Sequence, residues 1–261
     1  MSYSAYYDEY VETLPRPDLA RLQEGLIMQL VPYVYARSAL VREVWDRAGV
    51  SPRDIKSLDD FRNKAPFIDK DRIRQFRDEH NDPFGGTKCV DSPQYKAVGF
   101  TSGTTGDPTP LPYSRSVNTP QMKRDFWHIG MRPGDYFTIN MFTFREGHGA
   151  NNYNDCGFRP ITFQHSPGEL SRIIQASIEY KPKVMVTLST PLVLAMEEYA
   201  LKHDVDLKQA FASYKGAIFG GEMPAPRIRK LVASWELEMF EITSLGDVTG
   251  AIDCRDHSGF H

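Results

Sequence analysis

The stretch KVMVTLSTPLVLAMEEYALKHDVDLKQAFASYKGAIFGGEMPAPRIRKLVASWELEMFEIT, Lys183 to Thr243, decides the fold. It opens with a short apolar run, Lys183 to Ser189, of the kind buried on both faces of a sheet. Pro191 then starts a helical pattern that continues through Lys202, and GAIF, Gly216 to Phe219, reads as a second strand. A helix from Pro224 to Glu236 and a strand over MFEIT, Met239 to Thr243, complete the series. Strands that alternate with helices of this length imply parallel βαβ units with right-handed crossovers. Ligands of such sheets sit beyond the carboxyl ends of the strands. Gly220-Gly221-Glu222 follows one strand directly and Ser244-Leu245-Gly246-Asp247 follows the next, so both clusters open onto one crevice if the strands are neighbours.

The pattern extends toward the amino terminus. PGELSRIIQASIEY predicts an amphipathic helix with Leu170, Ile173, Ile174 and Ile178 on one side, and Arg132-Pro133-Gly134-Asp135 is a turn before a strand over Tyr136 to Asn140. Asp18 to Ala48 reads as helix, with Leu19, Leu22, Leu26 and Leu30 and then Tyr35, Leu40, Val41, Val44 and Trp45 spaced for one face. Pro32 is expected to kink or split it. Ser57 followed by Asp60 resembles a capping box that opens a short helix ended by Pro66. The expected organisation is a helical region over 1–90 and an α/β part over 91–261.

Composition bounds the partners. The chain has 261 residues, 41% hydrophobic and 25% charged, which is ordinary for a soluble globular protein. Its 31 basic and 34 acidic residues are mixed along the chain, so no polybasic stripe advertises nucleic acid or an anionic membrane, and neither partner is expected. The acidic start MSYSAYYDEYVETLP lacks the basic and apolar segments of a signal peptide, and a cytoplasmic location is expected. The 3 cysteines, Cys89, Cys156 and Cys254, are poor arithmetic for a disulfide framework.

FTSGTTGDPTP, Phe100 to Pro110, combines hydroxyls with glycines and one formal charge. Amides freed by glycine form a concave anion nest, and Ser and Thr hydroxyls add donors without adding charge. Thr101, Ser102, Gly103, Thr104, Thr105 and Gly106 therefore suit a triphosphate; a solvated turn is the alternative. A P-loop is excluded, because no Gly-Lys-Ser/Thr follows and Asp107-Pro108 breaks any helix.

SGTTGDPT closely resembles the phosphate-binding motif of the adenylate-forming superfamily, which includes acyl-CoA synthetases, nonribosomal adenylation domains and luciferases. YARSALVREVWDRAGVSPRDIKSLDDFRNKAPFIDKDRIR resembles the amino-terminal region of its phenylacetate-CoA ligase-like branch. IFGGEMPAPRIRKLVASWELEMFEITSLG resembles that branch's Gly-Glu-Pro loop and the helix and strand after it. The resemblance implies an α/β fold of mixed and parallel sheets with flanking helices, as in the large amino-terminal domain of these enzymes, preceded by an α-helical region.

It also implies chemistry. ATP and a carboxylic acid give an acyl-adenylate and pyrophosphate, and the acyl group passes to coenzyme A, with Mg2+ assisting. Carried over by position, Ser102 to Gly106 embrace the β and γ phosphates, Gly220, Gly221 and Glu222 line the adenine and acyl pocket, and Gly246 lies under the nucleotide. For Glu222 a helix-start carboxylate is an equal alternative. The family's Tyr-Gly-x-Ser/Thr-Glu is here Leu245-Gly246-Asp247-Val248-Thr249, so the magnesium-holding glutamate is replaced unless Asp247 takes its role. The chain ends at His261, ahead of the family's ribose-binding aspartate and lysine-bearing small domain, so weak adenylation by the chain alone is expected.

The acid is expected between Asn140–Asn154 and the Gly220 loop, with Phe142, Phe144 and Tyr153 as aromatic walls and His148, in EGHGANN, either orienting a carboxylate or occupying a solvated turn. Aromatic walls fit an aryl or arylacetic acid. Cys254 and His261, with His257 between them, have types and spacing compatible with half of a structural Zn2+ site; a polar terminal segment is the alternative. The branch also implies a homodimer through the helical region. The expected activity is acid-CoA ligation; the alternatives are an adenylating enzyme serving an amine or carrier protein, and a non-catalytic nucleotide- or acyl-binding remnant.

Overall fold

Ser38, not Pro32, ends the first long helix. A computed structural model of the protein describes residues 3–91, 95–100, 110–114, 120–141, 157–164, 166–245 and 248–260. After a single turn, α1 (Glu9–Glu12), the helix α2 (Arg16–Arg37) runs through Pro32 without a break. The chain extends at Ser38, whose Oγ accepts the Val41 N–H at 3.2 Å and donates to the Gly86 carbonyl at 2.7 Å, which starts α3 (Ala39–Arg47). A cap with two partners decides the break more firmly than a proline on the exposed side of a helix. The buried stripe also differs from expectation. Val31, with Ile27, Met28 and Tyr35, packs against Trp45 and Ile55, while Leu26 and Leu30 are 57% and 51% exposed. The inner face is turned by about one residue, or 100°, from the leucine pattern.

The helices α4 (Leu58–Lys64) and α5 (Lys70–His80) come next. Ser57 caps α4 by accepting the Asp60 N–H at 3.0 Å, but the backbone amide that the Asp60 carboxylate accepts is that of Lys56 rather than that of Ser57. Strands β1 (Tyr95–Phe100) and β2 (Pro110–Ser114) pair antiparallel, with Phe100 opposite Pro110. The Ser/Thr/Gly stretch lies between these strands in sequence and outside the described residues; the chain continues after it into a strand, not into the helix of a P-loop. Contacts group Tyr10–Val117 as one unit and Met1–Glu9 with Asn118–His261 as another.

The second unit is built on α6 (Pro120–Ile129), β3 (Tyr136–Met141), β4 (Arg159–Gln164), α7 (Leu170–Tyr180), β5 (Val184–Leu188), α8 (Thr190–His203), α9 (Leu207–Ala210), β6 (Gly216–Gly220), α10 (Pro226–Ser234), β7 (Met239–Leu245) and β8 (Val248–Ile252). The strands lie in the order β4-β3-β5-β6-β7-β8; pairs from β4 to β7 are parallel and β8 is antiparallel to β7. One face carries α7, α8, α9 and α10 over Phe163, Met185, Leu188 and Phe219. The other carries α6 over Phe137, Ile139, Val186 and Phe240. On α7 the buried face is Leu170, Ile173, Ile174, Ala176 and Ser177; Ile178, expected there, is 56% exposed because it sits about 100° round the helix from Ser177.

Two buried polar features hold this unit. The Tyr214 hydroxyl meets Thr138 Oγ1 at 3.0 Å and Ser177 Oγ at 2.9 Å, joining β3, α7 and the segment before β6, and burial pushes it up to about 12. Asp125 on α6 is 5% exposed, and burial pushes its carboxyl up to about 7 against the opposing pull of Arg124. The first residues complete the unit. Trp127 Nε1 donates to the Ser4 carbonyl at 3.1 Å, the rings of Tyr3 and Tyr7 stand edge-on to Trp127 with centroids at 5.7 Å, and the Arg132 guanidinium lies 4.3 Å over the indole.

Candidate functional site at the carboxyl edge of the sheet

β6 and β7 are neighbours and parallel, so they end, at Gly220 and at Leu245, on the same edge of the sheet; β7 runs two residues beyond the Thr243 expected from sequence. Gly220 is pressed against β7: a Cβ there would lie 2.7 Å from Ile242 Cγ2. Gly221 has φ +89°, a left-handed turn that side chains resist. That turn presents Glu222, whose Oε1 accepts the N–H of Thr190, the first residue of α8, at 3.0 Å. This amide is one of the donors a helix start leaves unpaired, and a carboxylate also suits the positive end of the helix. Glu222 thus acts as a helix-start carboxylate, for α8 rather than for α10.

The adjoining strand ends are irregular. Thr187 in β5 has φ +67°, rare for a β-branched residue, and the ladder to β6 shifts between Met185 and Leu188. Asn140, near the end of β3, is completely buried, and neither its Nδ2 nor its Oδ1 has a hydrogen-bond partner among the described residues. Each unpaired buried group costs about 1–3 kcal/mol. Sequence reading used Asn140 to end a strand and to open the Asn140–Asn154 segment expected beside the acid, without singling out its amide; the available signal was an amide at the end of the strand run YFTIN.

Of the other predicted residues, Thr101 to Gly106, Phe142, His148, Tyr153, Gly246, Asp247 and His261 lie outside the described residues, and Thr249 is placed by its backbone in β8. Cys254 is elsewhere. Ile242 pairs with Ile252 and the Asp253 N–H bonds the Glu241 carbonyl, so Cys254 lies toward the amino-terminal half of β7, away from Glu222. Its buried thiol donates to Asp256 Oδ1 at 2.6 Å, and this bond, with those from Ser258, holds the Asp256 carboxyl down at about 2. His257 turns to Asp253, Nδ1 to Oδ2 2.9 Å. Among the described residues the thiol meets a carboxylate and a hydroxyl, and His261, its expected co-ligand, lies outside them. Elsewhere, Glu43, Glu79 and His80 bring potential ligand atoms within 4.8 Å of one another, but Arg72 and Arg47 already neutralise Glu43 at 2.5 and 3.0 Å.

No protein-family model matches the chain. It is 30% identical over 234 residues to the phenylacetate-coenzyme A ligase of Thermus thermophilus, covering 87% of this chain and 49% of that protein. It is 27% identical over 258 residues to the phenylacetate-coenzyme A ligase of Escherichia coli, covering 94% of this chain and 56% of that one. Among solved structures, an open conformation of 2-hydroxyisobutyryl-CoA ligase in complex with 2-HIB-AMP and CoA superposes with a TM-score of 0.85 over 100% of this chain and 62% of that one, at 20% identity. The chain is thus a relative of the phenylacetate-coenzyme A ligases with the α/β fold of a CoA ligase, and it spans about half the length of the curated relatives it matches.

Proposed function

We propose that this chain supplies the nucleotide- and acid-binding part of an ATP-dependent carboxylic acid-CoA ligase acting on an aryl or arylacetic acid. The observation that carries the reading is similarity to phenylacetate-coenzyme A ligases over 87% and 94% of the chain. The acid's carboxylate displaces pyrophosphate from the α-phosphorus of ATP, and the thiol of coenzyme A then displaces AMP from the acyl-adenylate. Such displacement needs aligned reactants and neutralised charge more than a protein nucleophile.

Under this reading Thr101 to Gly106 donate amides and hydroxyls to the β and γ phosphates, and Gly220, Gly221 and Gly246 let backbone approach the nucleotide. Glu222 holds its loop against α8, which supports a positioning role. Phe142, His148 and Tyr153 would contact the acid, and Asp247 would take over the Mg2+-holding role of the family's glutamate, in whose place Thr249 stands. The helical region 1–90 and the α/β part 91–261 divide these tasks, and the apolar Leu26 and Leu30 surface of α2 suits a homodimer. Cys254 with His261 as zinc ligands is the least supported assignment, given the Asp256 bond. The mixed charge of the sequence supports a cytoplasmic enzyme without nucleic-acid or membrane partners; among the described residues no helix is long and apolar enough to cross a membrane.

Acid-dependent exchange of labelled pyrophosphate into ATP, run with a panel of aryl and arylacetic acids with and without coenzyme A, tests the proposal. Exchange with thioester and AMP release on adding coenzyme A is the expected result. AMP release driven by an amine or carrier protein instead identifies the alternative adenylating enzyme. ATP binding without exchange identifies a non-catalytic remnant, the reading that Thr249 in place of the family's glutamate favours.

A further inference from the structure

We infer that Asn140 reads a hydroxyl group on the acid, so that the preferred substrates are hydroxylated acids; this rests on the ligase reading. Along β3, Phe137 and Ile139 join the layer beneath α6, while Thr138 and Asn140 alternate onto the face that carries α7 and α8. Thr138 is satisfied there by Tyr214 at 3.0 Å. Asn140, two positions nearer the ligand-binding edge, is equally buried and has nothing on either amide atom among the described residues. It pairs with Phe163 of β4, and the pairing of Ile139 with Val186 sets it level with Thr187, where β5 takes its left-handed turn. In a purely structural core position a leucine of similar volume would leave no polar atom unpaired.

The chemistry of the two atoms selects the ligand. Nδ2 donates and Oδ1 accepts, so a full partner must do both. A carboxylate only accepts, so it answers Nδ2 but leaves Oδ1 unpaired, and the acid's reacting group is not a full partner. A hydroxyl donates to Oδ1 and accepts from Nδ2 through a single oxygen. Because both atoms are closed to water, the acid makes the contact by displacing what covers them, and the hydroxyl exchanges its water for the amide. A pocket built this way rejects an analogue that lacks the hydroxyl, since the amide is then left unpaired under a substrate that cannot answer it.

The test uses non-hydrolysable acyl-sulfamoyl adenosines made from phenylacetic acid, its ring-hydroxylated isomers and mandelic acid, titrated calorimetrically into the chain and into Asn140→Leu, with thermal unfolding of both. The wild type is expected to bind at least one hydroxylated analogue tenfold or more tighter than the phenylacetyl analogue, at a level roughly set by such pockets. Asn140→Leu is expected to bind that pair within about twofold and to unfold at the same or a higher temperature. Wild-type binding with no preference for a hydroxyl, or a preference kept by Asn140→Leu, overturns the inference. A lower unfolding temperature for Asn140→Leu overturns it as well, by showing that the amide is paired within the fold. Binding of none of the analogues by the wild type overturns the ligase reading itself and the inference with it.

Discussion

Replacing Asp125 with Asn keeps the shape of the side chain and removes its ionisation. The unfolded chain releases this proton near 3.8, whereas burial lets the folded chain hold it until about 7. Between those values the native state binds more protons than the unfolded one, so wild-type stability falls as pH rises. Below 3.8 the carboxyl is neutral in both states and the contribution is fully present; above about 7 it is lost. At about 1.4 kcal/mol per pKa unit the whole span amounts to roughly 4 kcal/mol, of which about 2–3 kcal/mol develops between roughly pH 5 and pH 8. Urea unfolding of the wild type and Asp125→Asn across that range measures it, since every other titrating group cancels in the difference. The variant is expected to gain on the wild type steadily as pH rises. A difference that stays constant with pH, or that grows toward acid, would refute the burial argument.

Tyr214→Phe leaves Thr138 without its partner and Ser177 with only the Ile173 carbonyl, and should destabilise by about 1–3 kcal/mol in denaturant titration; equal stability would show that the triad contributes nothing net. Thr187→Gly should relieve the strain of φ +67° and leave the protein as stable or up to about 1 kcal/mol more so, and a loss of stability would mean that the threonine side chain is itself held. Glu222→Ala removes the acceptor of the Thr190 amide, and hydrogen exchange at Thr190 should quicken roughly fivefold or more, for a bond of about 1 kcal/mol; unchanged protection would place that amide's partner elsewhere.

The strands that read most plainly were those whose side chains are buried on both faces. Val184–Leu188 and Gly216–Gly220 are central, and their apolar runs have no polar alternation to hide them. β4, RPITFQ, escaped because it is an edge strand in which Phe163 alone is fully buried and Pro160 breaks the pattern. β8 escaped because a short antiparallel return is a property of its pairing with β7, not of its own composition. Pro32 misled in the other direction: local propensity argued for a break that the Ser38 cap and its bond to Gly86 placed six residues later. At the candidate site, Gly220, Gly221 and Glu222 were legible as a glycine turn after a strand. Asn140 was not, since an amide near a strand end shows its unpaired state only once its neighbours are in place.

The clasp of Tyr3, Ser4 and Tyr7 on Trp127 makes the α/β unit discontinuous along the chain, with Tyr10–Val117 threaded between its first strap and its first helix. The bond from Trp127 to Ser4 spans 123 residues. Closing a loop of that size in an unfolded chain carries an entropic charge of roughly 4 kcal/mol beyond a constant, far more than one indole hydrogen bond returns. The strap is therefore a late event on the folding route, formed after the intervening helices have shortened the tether. During synthesis it waits for α6 to leave the ribosome, so Tyr3, Ser4 and Tyr7 find their place only after Trp127, 123 residues on from Ser4, has been made.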